Sequence, residues 1–450
     1  MAEIKKILIA NRGEIVQRAV RTIREMGKKS VAIYSAGDKD ASYLKHADEA
    51  ICIGGAKSSE SYLNIPAIIT AAEITGCDAI FPGYGFLSEN QDFVEICKLH
   101  NIKFIGPSVE VMEKMADKSK AKEEMIKAGV PVVPGSKGSV KTLEEGRTIA
   151  REIGYPIMAK AAAGGGGRGM RLIKTEEEFD QNFMAAASEA LAAFGDGTMY
   201  LERFINNPRH IEVQVVGDSH GNAIHIGERD CSLQRRHQKV IEESPAILLN
   251  EETRQKLLDV AVKATKYLKY EGAGTFEFLA DDKQNIYFME MNTRLQVEHP
   301  VSEMVSGIDI IELMIKVAEG EKVPPQESIK FRGHAIECRI TAENPNTFLP
   351  CPGRITQWMV PGGRNVRVDS HIYTGYVVPP YYDSMIGKLI VWGRDRNKAI
   401  NIMKRALAEF EVEGIKTTIP FHKKMMENKD FISNNYDTKY LENYKGLDDL

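Results

Sequence analysis

The chain has 450 residues, of which 43% are hydrophobic and 27% are charged, and its formal net charge is −4. This ordinary globular composition excludes a fibrous or wholly disordered chain, and the length predicts two to four domains or subdomains. The small negative charge offers no basic surface for nucleic acid, and no apolar run is long enough to span a membrane. The six cysteines are scattered without zinc-site spacing, and the N-terminus lacks a signal-peptide pattern, so we expect a cytoplasmic protein with reduced thiols.

Residues 1–115 alternate short apolar strands with amphipathic helices. Strands are predicted at residues 6–10, 30–34, 79–81 and 103–105, with helices after the first strand and at residues 65–75 and 92–100. This alternation is typical of a doubly wound α/β domain with a parallel sheet, whose ligands lie beyond the carboxyl ends of the strands. Residues 11–14 and 82–85 lie at such ends. We therefore interpret Tyr84 either as a binding residue or as a turn aromatic that covers the sheet.

A helical stretch is predicted over residues 110–128, and a connector at residues 116–130 leads from it to a hinge rich in proline and glycine. A small mobile module is expected at residues 131–203. Within it, strands at residues 155–160 and 170–173 flank four consecutive glycines.

The glycine run at residues 164–169 satisfies the pattern G-x-G-x-x-G. A dinucleotide-binding fingerprint must open a helix, however, and here a strand follows, so that interpretation fails. A strand, a glycine loop and a second strand instead predict a flexible hairpin whose backbone N–H groups can close over phosphates. Lys160 could add a point charge to the same phosphates. No P-loop sequence is present.

The remainder, residues 204–450, is predicted to form an antiparallel or mixed sheet with flanking helices. Residues 229–239 are interpreted as a polar connection between two strands. Glu277 and Glu290 lie on consecutive strands joined by a polar turn, so hairpin pairing would place them on adjacent rungs of one face. Two nearby carboxylates repel each other unless a proton or a cation lies between them, so we expect a divalent metal there.

The segment from residue 288 to residue 300 carries a polar side chain at every second position. These side chains are Glu290, Asn292, Arg294, Gln296 and Glu298. If the backbone stays extended, they project to one side, the same side as the aromatic residue at position 288. Oxygen ligands and a guanidinium on one edge suit a site for Mg²⁺ and an anion, whereas the flanking apolar residues argue against a surface salt-bridge ladder.

Taken together, these motifs resemble those of biotin carboxylase, an ATP-grasp enzyme, over essentially the whole chain. The matching motifs lie at residues 11–14, 82–85, 164–170, 228–231, 234–239, 274–277, 290–294, 296–300 and 380–384. The resemblance implies three parts: an N-terminal α/β domain, a mobile glycine-loop lid and a C-terminal ATP-grasp core with an antiparallel sheet. It also implies that ATP activates bicarbonate as carboxyphosphate, and that the carboxyl group passes to biotin. No nucleophile is needed, so Cys231 is not interpreted as one.

The resemblance also implies roles for individual residues. The residues expected to bind ATP are Lys118, Lys160, Gly165, Gly166, Gly167, Glu202, Ile205, His210, Gln234 and His237. Those expected to hold Mg²⁺ or Mn²⁺, with two ions anticipated, are Glu277, Glu290 and Asn292. Bicarbonate would be bound by Lys239, Arg294, Gln296 and the Val297 backbone, and deprotonated by Glu298. Tyr84 and Arg339 would contact biotin, with Arg339 stabilising the enolate form of its ring.

The chain carries no Met-Lys-Met attachment motif, so biotin is expected as a carrier-bound substrate and not as a group attached to this chain. The expected partners are a biotin carboxyl carrier protein and carboxyltransferase subunits, as in multisubunit acetyl-CoA carboxylase. Pyruvate and propionyl-CoA carboxylases use a similar component and stay open as alternatives. A homodimer is expected, although Arg364 stands where related chains often carry an aromatic. Another ATP-grasp ligase and a non-catalytic nucleotide sensor are the competing functions.

Overall fold

The computed structural model describes residues 3–140, 142–161, 169–236, 238–444 and 446, and within them the side chains at positions 118, 119, 193 and 194 are left undescribed. The strands are β1 (Lys6–Ile9), β2 (Lys29–Tyr34), β3 (Glu49–Cys52), β4 (Ala79–Phe81), β5 (Lys103–Phe104), β6 (Ile157–Ala161), β7 (Met170–Ile173), β8 (Met199–Arg203), β9 (Arg209–Gly217), β10 (Ala223–Arg235), β11 (Gln238–Ser244), β12 (Gly272–Ala280), β13 (Ile286–Asn292), β14 (His334–Thr341), β15 (Gly353–Arg354), β16 (Gln357–Met359), β17 (Val366–Ser370), β18 (Val377–Val378), β19 (Met385–Gly393) and β20 (Glu411–Glu413). The helices are α1 (Glu14–Glu25), α2 (Tyr43–His46), α3 (Ile65–Ile74), α4 (Gln91–Leu99), α5 (Val109–Ala116), α6 (Lys118–Ala128), α7 (Leu143–Ile153), α8 (Phe179–Phe194), α9 (Glu251–Tyr267), α10 (His299–Ser306), α11 (Ile310–Ala318), α12 (Arg396–Glu409), α13 (Ile419–Glu427), α14 (Lys429–Ile432) and α15 (Tyr440–Asn443). Among these helices, none has the length and apolar character needed to cross a bilayer.

The N-terminal part is built on a five-stranded parallel sheet in the order β3-β2-β1-β4-β5. The predicted doubly wound α/β domain is therefore confirmed. Strand β3 escaped prediction because it lies at the edge of the sheet and three of its four residues are exposed, so it lacks the apolar run of a buried strand. Gly27 follows helix α1 with a φ of 71°, as the C′ position of a helix requires.

The helical stretch predicted over residues 110–128 is divided into α5 and α6. Asp117 separates them with an extended backbone (φ −88°, ψ 120°), and its side chain accepts a hydrogen bond from the backbone N–H of Lys120. An aspartate that satisfies the free N–H groups of a new helix favours a break over continuation, because the cap contributes about 1 kcal/mol. The predicted helical stretch is therefore confirmed as two helices, with a break at Asp117 that the sequence pattern did not reveal.

A small three-stranded antiparallel sheet, in the order β7-β6-β8, has a hydrophobic core of its own. Strands β6 and β7 pair with Lys160 opposite Met170, which confirms the predicted hairpin. The loop between them, including Gly165, Gly166 and Gly167, lies outside the described residues.

The C-terminal part is organised by an eight-stranded antiparallel sheet in the order β13-β12-β9-β10-β11-β14-β19-β17. Along β9, apolar side chains face a core that includes α9, and polar side chains face the opposite side. Residues 229–235, interpreted as a connection, instead continue strand β10. Their polar side chains find buried ionic partners in the sheet, so polarity here does not indicate a loop.

Candidate active site

Three carboxylates occupy one rung of the large sheet. In the register, Glu212 of β9 is opposite Glu277 of β12, which in turn is opposite Glu290 of β13. The predicted hairpin pairing of the two strands is therefore confirmed, and it places Glu277 and Glu290 on the same rung instead of on adjacent ones. Glu212 was not identified as a site residue, although its place in an alternating polar and apolar strand put it on the same face as a neighbouring candidate, His210.

A β-bulge at Met289 sets the direction of the acidic side chain that follows. Glu277 pairs with Glu290, but the next residue of β12, Phe278, pairs with Phe288, so Met289 is the extra residue. Strict alternation had placed Phe288 and Glu290 on one face, and this was wrong. The bulge lets Phe288 and Met291 both pack in the α9 core, while Glu290 takes part in the acidic rung.

Lys239 of β11 joins three carboxylates through its ammonium group. Nζ lies 2.5 Å from Oε2 of Glu212, 2.9 Å from Oε1 of Glu277 and 2.6 Å from Oε1 of Glu298. Burial alone would lower the pKa of this lysine, but the surrounding carboxylates raise it well above its ordinary value. Lys239 is therefore a permanent cation at the centre of the site.

Arg229 supports this centre from within the sheet. It has no exposed surface, and its guanidinium donates to Oε1 of Glu212 at 2.6 Å, to Gln214 at 2.8 Å and to Ser302 at 3.0 Å. Glu212 is thus held between Arg229 on one oxygen and Lys239 on the other. Sequence reasoning missed Arg229 because it assigned this part of the chain to a connection.

The segment after β13 does not stay extended, yet its polar side chains converge. Arg294 donates to Oδ1 of Asn292 at 3.0 Å and to Oε1 of Gln296 at 3.2 Å. The Nε2 group of Gln296 and the Nδ2 group of Asn292 both donate to Glu277, at 3.2 and 2.8 Å. Residues 293–294 bend and residues 297–298 form a turn, so contacts and not an extended backbone bring these groups together.

Glu89 of the N-terminal part anchors the same segment. Its carboxylate accepts from Nε of Arg294 at 2.8 Å and from the backbone N–H of Thr293 at 3.0 Å. This residue was not predicted, because nothing near it in the sequence marks it as different from an ordinary surface acid.

Glu298 lies fully buried at the N-terminal end of α10, between two cations. One oxygen is 2.6 Å from Lys239 and the other is 3.0 Å from NH2 of Arg339. Burial raises the pKa of this carboxyl, but the charges of Lys239, Arg339 and Arg229 outweigh burial and hold the pKa well below its usual range. Glu298 is therefore ionised and able to accept a proton.

A cavity of about 500 Å³ lies between the N-terminal domain and the large sheet, and its lining includes Tyr84, Lys239, Val297 and Arg339. The hydroxyl of Tyr84 donates to Glu14, and Glu14 also accepts from Lys388 at 3.1 Å. Lys388 in turn donates to the carbonyl of Val297 at 2.7 Å. Tyr84 therefore presents its ring to the cavity while its hydroxyl is fixed in the wall.

The candidate nucleotide-binding residues are only partly described. Nζ of Lys160 is 2.6 Å from Glu202, and Lys122 is 3.3 Å from the other oxygen of the same carboxylate. Burial raises the pKa of Glu202, but these two lysines lower it overall. Nε2 of His210 is 3.0 Å from Glu277, which brings this candidate to the acidic rung.

The remaining nucleotide candidates differ in what the structure says of them. Gln234 is opposite Lys239 in the sheet, and Ile205 is buried near β9. Lys118 begins α6, but its side chain is not described, and His237 lies outside the described residues.

The carboxylate-rich face suits a hard divalent cation. Glu277 and Glu290 are opposite each other on adjacent strands, and the side chain of Asn292 contacts Glu277. Carboxylate and amide oxygens are ligands that Mg²⁺ accepts in proteins. The thiol of Cys231 does not suit nucleophilic chemistry, because burial raises its pKa well above the ordinary value.

Family comparisons cover nearly all of the chain. The biotin carboxylase N-terminal domain family matches residues 3–112, the ATP-binding domain family of the carbamoyl-phosphate synthase L chain matches residues 117–326, and the biotin carboxylase C-terminal domain family matches residues 337–443. The biotin carboxylase of Nostoc sp. is 56% identical over 439 residues, which are 97% of this chain and 98% of that protein.

Solved structures agree in fold over the same length. The crystal structure of a biotin carboxylase–β,γ-ATP complex from Campylobacter jejuni has 68% sequence identity and a TM-score of 0.90, covering 98% of this chain and 99% of that one. The biotin carboxylase domain dimer of the 2-oxoglutarate carboxylase from Hydrogenobacter thermophilus, described with MgADP, ADP and bicarbonate, has 49% identity and a TM-score of 0.88 over the full length of both chains. With the site geometry and this likeness over its whole length, the chain belongs to the biotin carboxylase family of ATP-dependent ligases.

Proposed function

We propose that this chain uses ATP and bicarbonate to carboxylate biotin that is attached to a separate biotin carboxyl carrier protein. The observation that carries the proposal is the placement of Glu298, ionised and held by Lys239 and Arg339, between the acidic rung and the cavity beside Tyr84. One side of this carboxylate suits a metal-bound nucleotide, and the other side suits an organic acceptor.

In this proposal, the nucleotide lies on the side of the acidic rung. Glu277, Glu290 and Asn292 would hold two Mg²⁺ or Mn²⁺ ions, which would supply positive charge beside the phosphates. Lys118, Lys160 and the glycine loop contact the phosphates, while Glu202, Ile205, His210, Gln234 and His237 surround the rest of ATP. The ion pair of Lys160 with Glu202 would open for this, because the lysine must exchange its carboxylate partner for phosphate.

Bicarbonate is bound where cations and an amide meet. Lys239, Arg294, Gln296 and the Val297 backbone surround it, and Glu298 accepts its proton. The bicarbonate oxygen attacks the γ-phosphoryl group, the bond from that group to the β-phosphate oxygen breaks, and carboxyphosphate and ADP are formed. Because Lys239 already pairs with three carboxylates, an added anion would increase the excess of negative charge around Glu298 unless a metal cation offset it, so metal and bicarbonate bind as a set.

Biotin occupies the cavity between the domains, against Tyr84 and Arg339. Arg339 keeps its charge at all physiological pH values, and a fixed cation beside the ureido ring stabilises the negative charge that develops on its oxygen. The ring nitrogen then attacks the carboxyl carbon, the bond from that carbon to the phosphate oxygen breaks, and the departing phosphate takes up the proton of the ring nitrogen.

We further propose that the chain acts in the first half-reaction of acetyl-CoA carboxylase, which supplies malonyl-CoA for fatty acid synthesis, with separate carboxyltransferase subunits as partners. The alternatives are that the chain serves a pyruvate or a propionyl-CoA carboxylase. The similarity to a 2-oxoglutarate carboxylase domain makes 2-oxoglutarate a further candidate acceptor of the carboxyl group. Copurification of the chain from its native source, followed by identification of the bound carboxyltransferase, tests this assignment. A partner specific for pyruvate would overturn the acetyl-CoA setting.

The test of the reaction is ADP release measured with and without bicarbonate and free biotin. We expect release to require bicarbonate and to rise with biotin, and we expect Glu298→Ala to reduce it by about 10²-fold or more, the usual contribution of a general base. Glu252→Ala, which changes an exposed acid on α9, is the matched control and should retain full activity. Biotin-independent release, or full activity of Glu298→Ala, would favour another ATP-grasp ligase instead.

A further inference from the structure

Two fully buried acids lie directly opposite each other behind the catalytic carboxylate. Glu242 of β11 pairs in register with Glu337 of β14, and neither has exposed surface. Directly opposite residues of antiparallel strands have Cβ atoms about 4.5–5.5 Å apart, so the two carboxyl groups share one environment. Neither has a role in the proposed reaction.

The two acids differ in their partners. Oε1 of Glu242 accepts from Nε of Arg339 at 2.5 Å, whereas its other oxygen has no hydrogen-bond partner among the described residues. Within that same part of the chain, neither oxygen of Glu337 has a partner. An ionised carboxylate without partners is very costly to bury, and such groups become neutral instead.

The surroundings of Glu337 are apolar on the side away from Arg339. Helix α10 covers this face, and Val301 and Val305 pack there against Ala335 and against Ile390, the residue opposite Glu337 on β19. Water is therefore poorly placed to solvate a charge at this position.

Charged groups face the pair from each neighbouring element. Arg339 of β14, Lys239 of β11 and Lys388 of β19 are the cations, and Glu298, just before α10, is the acid. Each cation already forms an ion pair with another carboxylate. Lys388 contacts Glu14, Lys239 contacts three carboxylates, and Arg339 also contacts Glu298. The described cations cannot neutralise two further carboxylates.

We propose that Glu337 is protonated in the resting protein, and that the Glu242–Glu337 pair carries one negative charge, which positions Arg339 between Glu242 and Glu298. A second negative charge would draw the guanidinium toward the pair and away from the cavity. Glu337 is thus a positioning residue for Arg339, and the part of this inference that concerns biotin rests on the proposed function.

The direction of the titration agrees with this geometry. Burial raises the pKa of Glu242 to about 7, against the lowering effect of Arg339. Burial also raises the pKa of Glu337 well above its ordinary value, and the charge of Glu242 adds to the rise. Because the pKa values of both acids are raised, the two groups titrate together, and Glu337, which has no hydrogen-bond partner within the described residues, is the acid that keeps its proton at neutral pH.

Infrared spectroscopy of the carboxyl C=O stretch tests the protonation directly, without any assay of activity. At neutral pH we expect a protonated-carboxyl component that Glu337→Gln removes and the exposed control Glu252→Gln leaves in place. In Glu242→Gln the same component should remain, because Glu337 still lies among apolar groups, without a hydrogen-bond partner in the described part of the chain. A wild-type component that survives Glu337→Gln, or the absence of any such component, would overturn the proposal.

Unfolding experiments give a second test that also needs no catalysis. A carboxyl group whose pKa is higher in the folded protein than in the unfolded chain binds more protons in the folded state. Its contribution to stability is therefore lost as the pH rises from the pKa of the unfolded chain to the pKa of the folded protein. The unfolding constant of wild type should therefore increase relative to that of Glu337→Gln by up to about tenfold per pH unit above pH 5. Parallel pH profiles for the two proteins would contradict a protonated Glu337.

Kinetics then separate positioning from fold. Glu337→Gln should leave the KM for biotin unchanged at neutral pH and should abolish any rise in that KM toward alkaline pH. Glu242→Gln should raise the KM for biotin at all pH values, because Arg339 loses a hydrogen-bond acceptor. A KM for biotin that Glu242→Gln leaves unchanged would refute the positioning role. If wild type shows no biotin-dependent turnover at all, the proposed function fails, while the infrared and unfolding results still decide the protonation state.

Discussion

A single lysine, Lys239, neutralises negative charge on three buried carboxylates of the candidate active site. Lys239 is within 2.9 Å of three carboxylates contributed by β9, β12 and the turn before α10. Buried carboxylates this close together repel strongly, so the lysine stabilises the fold as well as the site. The sequence marked Lys239 through a family resemblance, but its neighbours come from positions 27 to 59 residues away and could not be read from local pattern.

Replacing Lys239 tests this structural role. We expect Lys239→Met to destabilise the fold by about 3–5 kcal/mol near pH 8, because it leaves buried carboxylates without their cation. Lys239 lowers the pKa values of Glu277 and Glu298 in the native state, so without it these carboxyls can take up protons as pH falls. The loss should therefore shrink toward pH 5, as measured by denaturant unfolding at several pH values.

The control for this substitution is Lys256→Met, which removes an exposed lysine that pairs with exposed Glu252 on α9. Its effect should stay within about 0.5 kcal/mol at every pH. A destabilisation by Lys239→Met that did not depend on pH would show that lost packing, and not unpaired charge, causes it.

At the scale of elements, irregularities of the backbone place the functional groups. The bulge at Met289 turns Glu290 to the acidic rung, and the break at Asp117 starts α6 at Lys118, a candidate phosphate ligand. Periodicity predicted both regions as regular, because an average over many residues does not detect one inserted residue or one capping aspartate.

The small β7-β6-β8 sheet is attached to the acidic strand through its hinge. The carbonyl of Pro131 accepts from the backbone N–H of Phe288, and Val132 forms a bridge with the same residue, so the hinge pairs with β13 near Glu290. A separate core above such a hinge is the arrangement expected of a lid that closes on ligand.

Amide hydrogen exchange tests this closure. Addition of ATP with Mg²⁺ should slow exchange in β6 and β7, because contacts with the phosphates would hold this hairpin closed over the nucleotide. Strand β1 in the N-terminal sheet is the internal reference and should not change. Equal exchange of β6 and β7 with and without nucleotide would contradict a nucleotide-driven lid.

At the scale of the whole molecule, the site is complete only where two large parts meet. Tyr84 and Glu89 come from the N-terminal α/β part, whereas Lys239, Arg294 and Arg339 come from the antiparallel sheet and its loops. Each part supplies one wall, so correct docking of the parts decides whether the cavity exists.

We expect the chain to form a homodimer through the outer face of α1. Arg21 is half exposed there, and it lines a surface depression with Arg24, Glu25 and His46. Light scattering at micromolar concentration should give twice the chain mass for wild type. Arg21→Glu should shift the mass toward that of one chain, because a reversed charge disfavours a self-complementary interface.

The matched control is Arg394→Glu, since Arg394 is an exposed residue in the turn after β19. It should leave the mass at that of a dimer. A single-chain mass for the wild-type protein would contradict the dimer, and would direct attention to Arg364, which stands where related chains often carry an aromatic.

The sequence by itself determined the parallel N-terminal sheet, the hairpin around the glycine loop and the pairing of the strands that carry Glu277 and Glu290, because these features depend on local periodicity and on neighbouring strands. Only the tertiary structure decided which cations face those acids. Arg229, Glu89 and the buried pair Glu242–Glu337 have ordinary neighbours in sequence, and their significance comes from strands and helices that are far apart along the chain. The protonation of a buried acid depends on every charge within a few ångströms, and only the folded chain fixes those distances.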